Sequence, residues 1–227
     1  MGIAGAVLAW FAIETHYPHF QTSAELQAKV ANINAALSAE EMQEIRRVDF
    51  ENSVFACAIL GAALGSLMGA SEGVSRRSMG RAVLGVGCGA VFGLLFGSLG
   101  GLAGHAVYER SLREDTVGSG TLSICMHAAT LGVTSLGIGL GLGFPTFNVR
   151  RILQSTLKAA IGGICAGAIY FPLAAVALPL ANTERNIPDG SLNRLLWASM
   201  APLLAGLIVA GLRPRPPAAP VASSTSQ

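Results

Sequence analysis

Residues 81–107 read RAVLGVGCGAVFGLLFGSLGGLAGHAV. Arg81 opens the run, and His105, near its far end, is the one side chain in it that titrates near neutrality. About 20 apolar residues suffice to cross a bilayer. Backbone in lipid must satisfy its own hydrogen bonds, so a run of this kind is a helix. Gly85, Gly89, Gly93, Gly97 and Gly101 recur within it every four residues. A residue at that interval stays near one helical face, so the helix carries a groove without side chains.

Just upstream, Gly61, Gly65, Gly69 and Gly73 repeat the interval. Lipid supplies no hydrophobic drive for helix association, so small residues that admit a neighbour's backbone are a main source of it. The nine glycines are read as helix-packing positions. A flexible gating helix is the lesser reading of the same pattern.

Working outward, residues 53–71, 121–144, 156–181 and 194–212 are long and apolar enough to span as well. Composition agrees: charged residues make up 12% of the 227 and glycine supplies 28 residues, with a mean hydropathy of +0.54. Soluble domains carry roughly 25% charge. Glycine has no three-residue period, which excludes collagen, and a net charge of +2 spread over short loops gives nucleic acid no basic face. The fold class expected is an all-α polytopic bundle of five full spans plus a short N-terminal hydrophobic helix, with tandem glycine-rich hairpins. Its partners are the lipid bilayer and a second copy or other membrane subunits.

The segments are 1–13, a short hydrophobic helix; 14–52, an amphipathic extramembrane stretch; hairpins 53–107 and 121–181; the last span 194–212; and a Pro-rich tail 213–227. Residues 1–13 are short for a span, lack the positive start of a signal peptide, and have Ala6 where myristoylation wants Ser or Thr. Thr22 to Glu25 and Ser38 to Glu41 have capping-box spacing, and Leu26, Val30, Ile33 and Leu37 would share a face. That predicts two amphipathic helices lying on the bilayer or the bundle, or a partner-binding segment.

Basic and acidic loops alternate. Arg76, Arg77 and Arg81, then Arg150, Arg151 and Lys158, then Arg213 and Arg215 fall on one side. Acidic residues 14–51, 109–115 and 184–189 fall on the other. Short basic loops are cytoplasmic by the positive-inside rule. Trp10, Tyr17, Tyr108 and Trp197 are expected at the opposite interface as an aromatic belt.

Arg81-Ala82-Val83-Leu84-Gly85-Val86-Gly87-Cys88 parallels Lys158-Ala159-Ala160-Ile161-Gly162-Gly163-Ile164-Cys165, and Ser53 to Cys57 echoes Thr121 to Cys125. The hairpins therefore read as parallel repeats, an arrangement that transporters often use with a site between them. The four cysteines lack CxxC spacing and are read as small buried residues.

All four histidines fall on the acidic side. His105 and Glu109 are four apart and share a helical face. With His127, Cys125 and Tyr108 they form the candidate metal or proton site, since ionisable groups in spans are functional candidates. A structural hydrogen bond is the stronger reading, because no zinc-type spacing occurs. No GxSxG elbow and no GxxxxGK[ST] loop is present, so neither an enzyme nor a cofactor is expected. Glu72 and Arg76 are placed for a surface ion pair.

His127, the glycine-rich helix after it, Arg150-Arg151, Tyr170-Phe171-Pro172-Leu173, Thr183, Pro188 and Arg194-Leu195-Leu196 resemble a group of uncharacterised bacterial glycine-rich polytopic membrane proteins, over residues 121–212. Phe171 stands where those proteins often carry Glu. Gly61–Gly104 resembles the glycine-zipper hairpins of many unrelated membrane proteins. The resemblance implies a bacterial inner-membrane location and brings no catalytic residue with it. The function expected is a non-catalytic structural or assembly component. The alternative is a small-solute, ion or metal transporter whose path runs between the repeats, with Pro172 as its one broken-helix candidate.

Overall fold

The computed structural model describes residues 2–15, 17–32, 36–113, 120–179 and 182–211. His16, Ile33, Asp115, residue 181 and the tail with Arg213 and Arg215 lie outside them. Among the described residues the chain is all-α: α1 (Gly2–Glu14), α2 (Ala24–Val30), α3 (Ala39–Ser75), α4 (Met79–Arg113), α5 (Gly120–Gly143), α6 (Val149–Ala177) and α7 (Ser191–Gly211), with a 3-10 turn at Phe144–Thr146. Helices α3 to α7 are each long and apolar enough to cross a membrane, and α1 is a shorter apolar helix.

Helix α3 starts where its capping box lies: Glu41 N–H donates to Ser38 Oγ at 3.2 Å, and Ser38 N–H donates back to Glu41 Oε2 at 2.7 Å. It then runs 37 residues unbroken, about 55 Å at 1.5 Å per residue, well beyond a hydrocarbon core of about 30 Å. The boundary at 52/53 drawn from sequence is therefore crossed by one continuous helix, whose first turns extend past a membrane's length alongside the far end of α4, with Arg46 against Glu109.

Helix α2 is capped by Ser23, whose Oγ accepts from Leu26 N–H, rather than by Thr22. It has seven residues and ends at Val30, short of Leu37, so no single helical face carries the expected set; Leu26 is buried and Val30 is 51% exposed. Besides the burial of Leu26, what holds α2 is polar. Lys29 Nζ lies 2.8 Å from Glu41 and Ser23 N–H donates to Glu44 Oε1 at 2.9 Å. Phe20 and Asn52 exchange two further bonds.

In the bundle α5 packs on α3, α4 and α6, α7 on α6, and α1 on both α3 and α7. Leu60, Leu64, Leu131, Ile138 and Trp197 are fully buried at its centre. Helices α3 and α4 meet backbone to backbone. A Cβ on Gly61, Gly65 or Gly69 would strike the carbonyl of Gly93, Gly89 or Gly85 respectively. A Cβ on Gly73 would strike Ala82; one on Gly97 or Gly101 would strike the carbonyl of Cys57 or Ser53. The second hairpin does not repeat this geometry. Gly162, which aligns with Gly85, faces Ala205 of α7, while its neighbour Gly163 faces Leu131 of α5.

Two other expectations are corrected. Cys57 is buried and Cys88 partly so, but Cys125 and Cys165 are exposed on the bundle's outside, where lipid would make a small thiol inexpensive. Trp197 lies in the core at 1% exposure, not in a surface belt, and Trp10 is half-buried with its indole N–H donated to Ser191 O at 3.0 Å.

Candidate functional site

The buried polar chemistry gathers at the acidic end, on one face of α5. His127, Thr130 and Thr134 follow at intervals of three and four, which stacks them on one side of a helix. All three are fully buried, as is Ser135. They fit because α4 presents glycine opposite them. A Cβ on Gly100 would strike Thr134 Oγ1, and one on Gly104 would strike both Thr130 Oγ1 and Asn186 Oδ1.

The segment 182–190 folds back into this mouth. His127 Nε2 lies 2.9 Å from Thr183 O. A carbonyl only accepts, so Nε2 carries the proton and Nδ1 is the bare nitrogen; Nδ1 is buried with no partner among the described residues. Thr130 Oγ1 donates to Asn186 Oδ1 at 2.6 Å, and Asn186 Nδ2 donates to Gly101 O at 3.1 Å. One loop side chain thus bridges α4 and α5. The Tyr170 ring of α6 meets His127 edge-on at 4.6 Å, and its hydroxyl donates to Asn193 Oδ1 at 2.6 Å.

Arg194 completes the clasp. It holds both carboxylate oxygens of Glu14, donates to Pro188 O at 3.2 Å, and sits 4.5 Å above the Tyr17 ring. The hydrogen bonds from Arg194 hold the Glu14 carboxyl below the usual carboxylate range. Burial pushes the Tyr17 phenol up to about 12, against the opposing charge of Arg194.

A second polar site lies beside the clasp, where Tyr17, Asp49, His105, Tyr108 and Arg185 line a cleft with about 20 Å³ of free space, room for a single water. His105 Nε2 is 3.7 Å from Glu109 Oε1, and Glu109 also lies 3.5 Å from Arg46 Nη1. The first distance is too long for a hydrogen bond, so the pair is a loose electrostatic contact. The His105 ring rests edge-on against Phe50 at 5.2 Å.

Of the four candidate metal ligands, the structure brings His105 and Glu109 together and separates the other two. His127 is spoken for by Thr183, and Cys125, two residues and hence about 200° around the helix from it, is exposed on another face. Among the described residues no three His, Cys, Asp or Glu side chains could share a metal ion. Glu72 and Arg76 do form their ion pair.

Thr130, Thr134, Asn186 and Asn193 escape a reading that looks for charge, because they are neutral and scattered through glycine-rich sequence. The signal that could have found them is the interval 127–130–134 opposite Gly100 and Gly104. Chemically the arrangement can fasten: the bonds of His127, Thr130, Asn186 and Arg194 tie the 182–190 segment and α1 to the bundle, while His127 Nδ1, Ser135 Oγ and Asn193 Nδ2 are without partners among the described residues. No protein-family model, curated protein or solved structure matches the chain.

Proposed function

We propose that this protein is a non-catalytic integral membrane component, one of the glycine-rich bacterial type, that acts in assembly. The single observation that carries the reading is that the bundle spends its adhesive features internally. The glycine faces of α3 and α4 are filled by each other's backbone, and the histidine and threonine face of α5 is filled by the 182–190 segment. A transport path between the hairpins would have to part these contacts, including Gly141 against Gly89, where an added Cβ would come within 2.7 Å of Cα.

Partner contacts then fall to surfaces outside the bundle's own joints. The α2–α3 projection is the favoured one. It is braced by Lys29–Glu41 and Phe20–Asn52 and exposes Val30 and Met42 beyond the helices' membrane length. Such apolar side chains in an otherwise polar head suit a second copy or another subunit.

The test is a photo-crosslinker at Met42 in cells, followed by purification in mild detergent and identification of the crosslinked product. A defined adduct with one protein, or with a second copy, is expected. Reconstituted vesicles provide the contrary outcome: proton or metal flux that vanishes in a His105→Ala, His127→Ala double variant would overturn the reading in favour of transport.

A further inference from the structure

At the basic end of the bundle the helices do not close. Helix α1 packs between α3 and α7 as far as Gly2, whose added Cβ would lie 3.2 Å from Pro202 Cβ and 3.6 Å from Met68 Sδ. One turn further along α7, nothing lies within 4 Å of a Cβ added to Gly206. There a cleft of about 440 Å³ opens among α3, α5, α6 and α7.

Its lining is divided. Met68, Leu142 and Gly206 form an apolar wall, and Arg151, Gln154 and Lys158 of α6 form a polar one. Arg151 and Lys158 are seven apart, two turns along one helical face. Neither side chain has a hydrogen-bond or ion-pair partner among the described residues. The cleft's one carboxylate, Glu72, is turned to Arg76. Two uncommitted cations beside an apolar wall, at the basic end of a bundle of membrane-spanning helices, match an amphiphile whose head is anionic and whose chains are hydrocarbon.

We infer that this cleft is a binding site for an anionic phospholipid, with the headgroup phosphate between Arg151 and Lys158 and an acyl chain along Met68 and Leu142. The net positive lining selects an anionic head over a zwitterionic one. The site is independent of the assembly reading, since it lies at the opposite end from the α2–α3 projection.

The test uses the purified full chain in detergent, with thermal stability followed as phosphatidylglycerol, phosphatidylcholine or inorganic phosphate is added. Saturable stabilisation by phosphatidylglycerol is expected, with little from the other two. Each basic residue near a membrane surface is worth about 1 kcal/mol, about fivefold in affinity. An Arg151→Gln, Lys158→Gln variant should therefore need about 25-fold more phosphatidylglycerol for the same shift. Arg150→Gln, adjacent in sequence and absent from the lining, should need no more than the unaltered chain. Equal response to the two lipids, an equal loss in Arg150→Gln, or full stabilisation by phosphate alone would each overturn the site.

A second measurement stands if the double variant folds poorly. A benzophenone attached through Gln154→Cys, in a background without the native cysteines, should capture phospholipid in membranes. Capture of the chain's own 212–227 tail instead would show that the cleft is covered by protein and would overturn the inference.

Discussion

Arg194 grips Glu14 from 180 positions away, Nε to Oε2 and Nη2 to Oε1 at 2.9 Å each. This two-point contact joins the end of the first apolar helix to the start of the last. It explains how α1, too short to be counted with the five long helices, stays fixed along α3 and α7. The apolar half of that fixation is Ala6, Ala9 and Ile13, all buried. The polar half is Arg194, which also supports the Tyr17 ring and the Pro188 carbonyl.

The contact predicts an acid limb in the stability profile. Glu14 has a folded-state pKa below its unfolded one, so its contribution is fully present above about pH 4.3 and is lost as pH falls through the folded value. Glu14→Gln should remove that part of the acid sensitivity and cost about 1–2 kcal/mol at neutral pH, a charged hydrogen-bond pair discounted for its partial exposure. Thermal melts of both proteins across pH 3 to 7 measure it. Parallel pH profiles would refute the role given to this pair.

How much of this was legible in the sequence depends on the kind of interaction. The five spans are set by a length requirement that lipid imposes on any apolar run, and α3 to α7 fall on those runs. The start of α3 was legible because a capping box is local, Ser38 to Glu41. The start of α2 was displaced by one residue, since Thr22 and Ser23 both offer a hydroxyl and only Ser23 reaches Leu26 N–H. Glu14 with Arg194, and Asn186 with Thr130, were not legible. Each joins elements far apart in the chain through neutral or isolated polar residues, and no spacing rule connects them. The two hairpins match over a short run of residues, yet Gly85 is turned to α3, its partner in the hairpin, whereas Gly162 is turned to the following helix, α7.

Glycine substitutions should divide by partner rather than by helix. Gly65→Leu and Gly93→Leu place a branched side chain against the backbones of Gly89 and Gly61, and overpacking costs about 1–3 kcal/mol where the surroundings can shift. Backbone cannot shift readily, so the upper part of that range is expected. Leu94→Ala, at a position 50% exposed, should change little. Gly87→Ala, with nothing within 4 Å, should stabilise by about 0.5–1 kcal/mol through the helix preference for alanine. Melting temperatures in one detergent rank the four, and any order that places Leu94→Ala below Gly93→Leu contradicts the packing argument.

The orientation proposed from charge is that Arg76, Arg77, Arg150 and Arg151 face the cytoplasm. Cysteines at Ser75 and Asn148, both exposed at the basic end, should resist a membrane-impermeant thiol reagent in intact cells. A cysteine at Ala28, exposed on α2 at the other end, should react. The background must lack Cys125 and Cys165, which are exposed themselves. Asn186 is unsuitable as an outer reporter because it is 3% exposed. Reaction at the first two sites with protection at Ala28 would invert the topology.

The clasp at Asn186 gives the sharpest contrast between a structural and a pathway role for the polar face of α5. Asn186→Leu removes the acceptor for Thr130 Oγ1 and the donor for Gly101 O, and the larger apolar side chain would press on Gly104. Hydrogen bonds between membrane helices average about 0.6 kcal/mol and reach about 1.7, so two of them predict a loss of about 1–3 kcal/mol. Thr130→Val loses the hydroxyl and its bonds to Asn186 and Met126 but is close in volume and leaves Asn186 bonded to Gly101 O, so it should cost less than Asn186→Leu, which loses both links between elements and overfills the site. His127→Ala should cost more than the lost Thr183 bond alone, because it also empties the space beneath the Tyr170 ring and leaves a cavity. Hydrogen exchange over residues 182–190 reads the outcome directly. Faster exchange there in all three variants, with the α3–α4 contact unchanged, is the result expected of a fastening. Exchange unaffected in Asn186→Leu would mean that the segment is held by something other than this clasp.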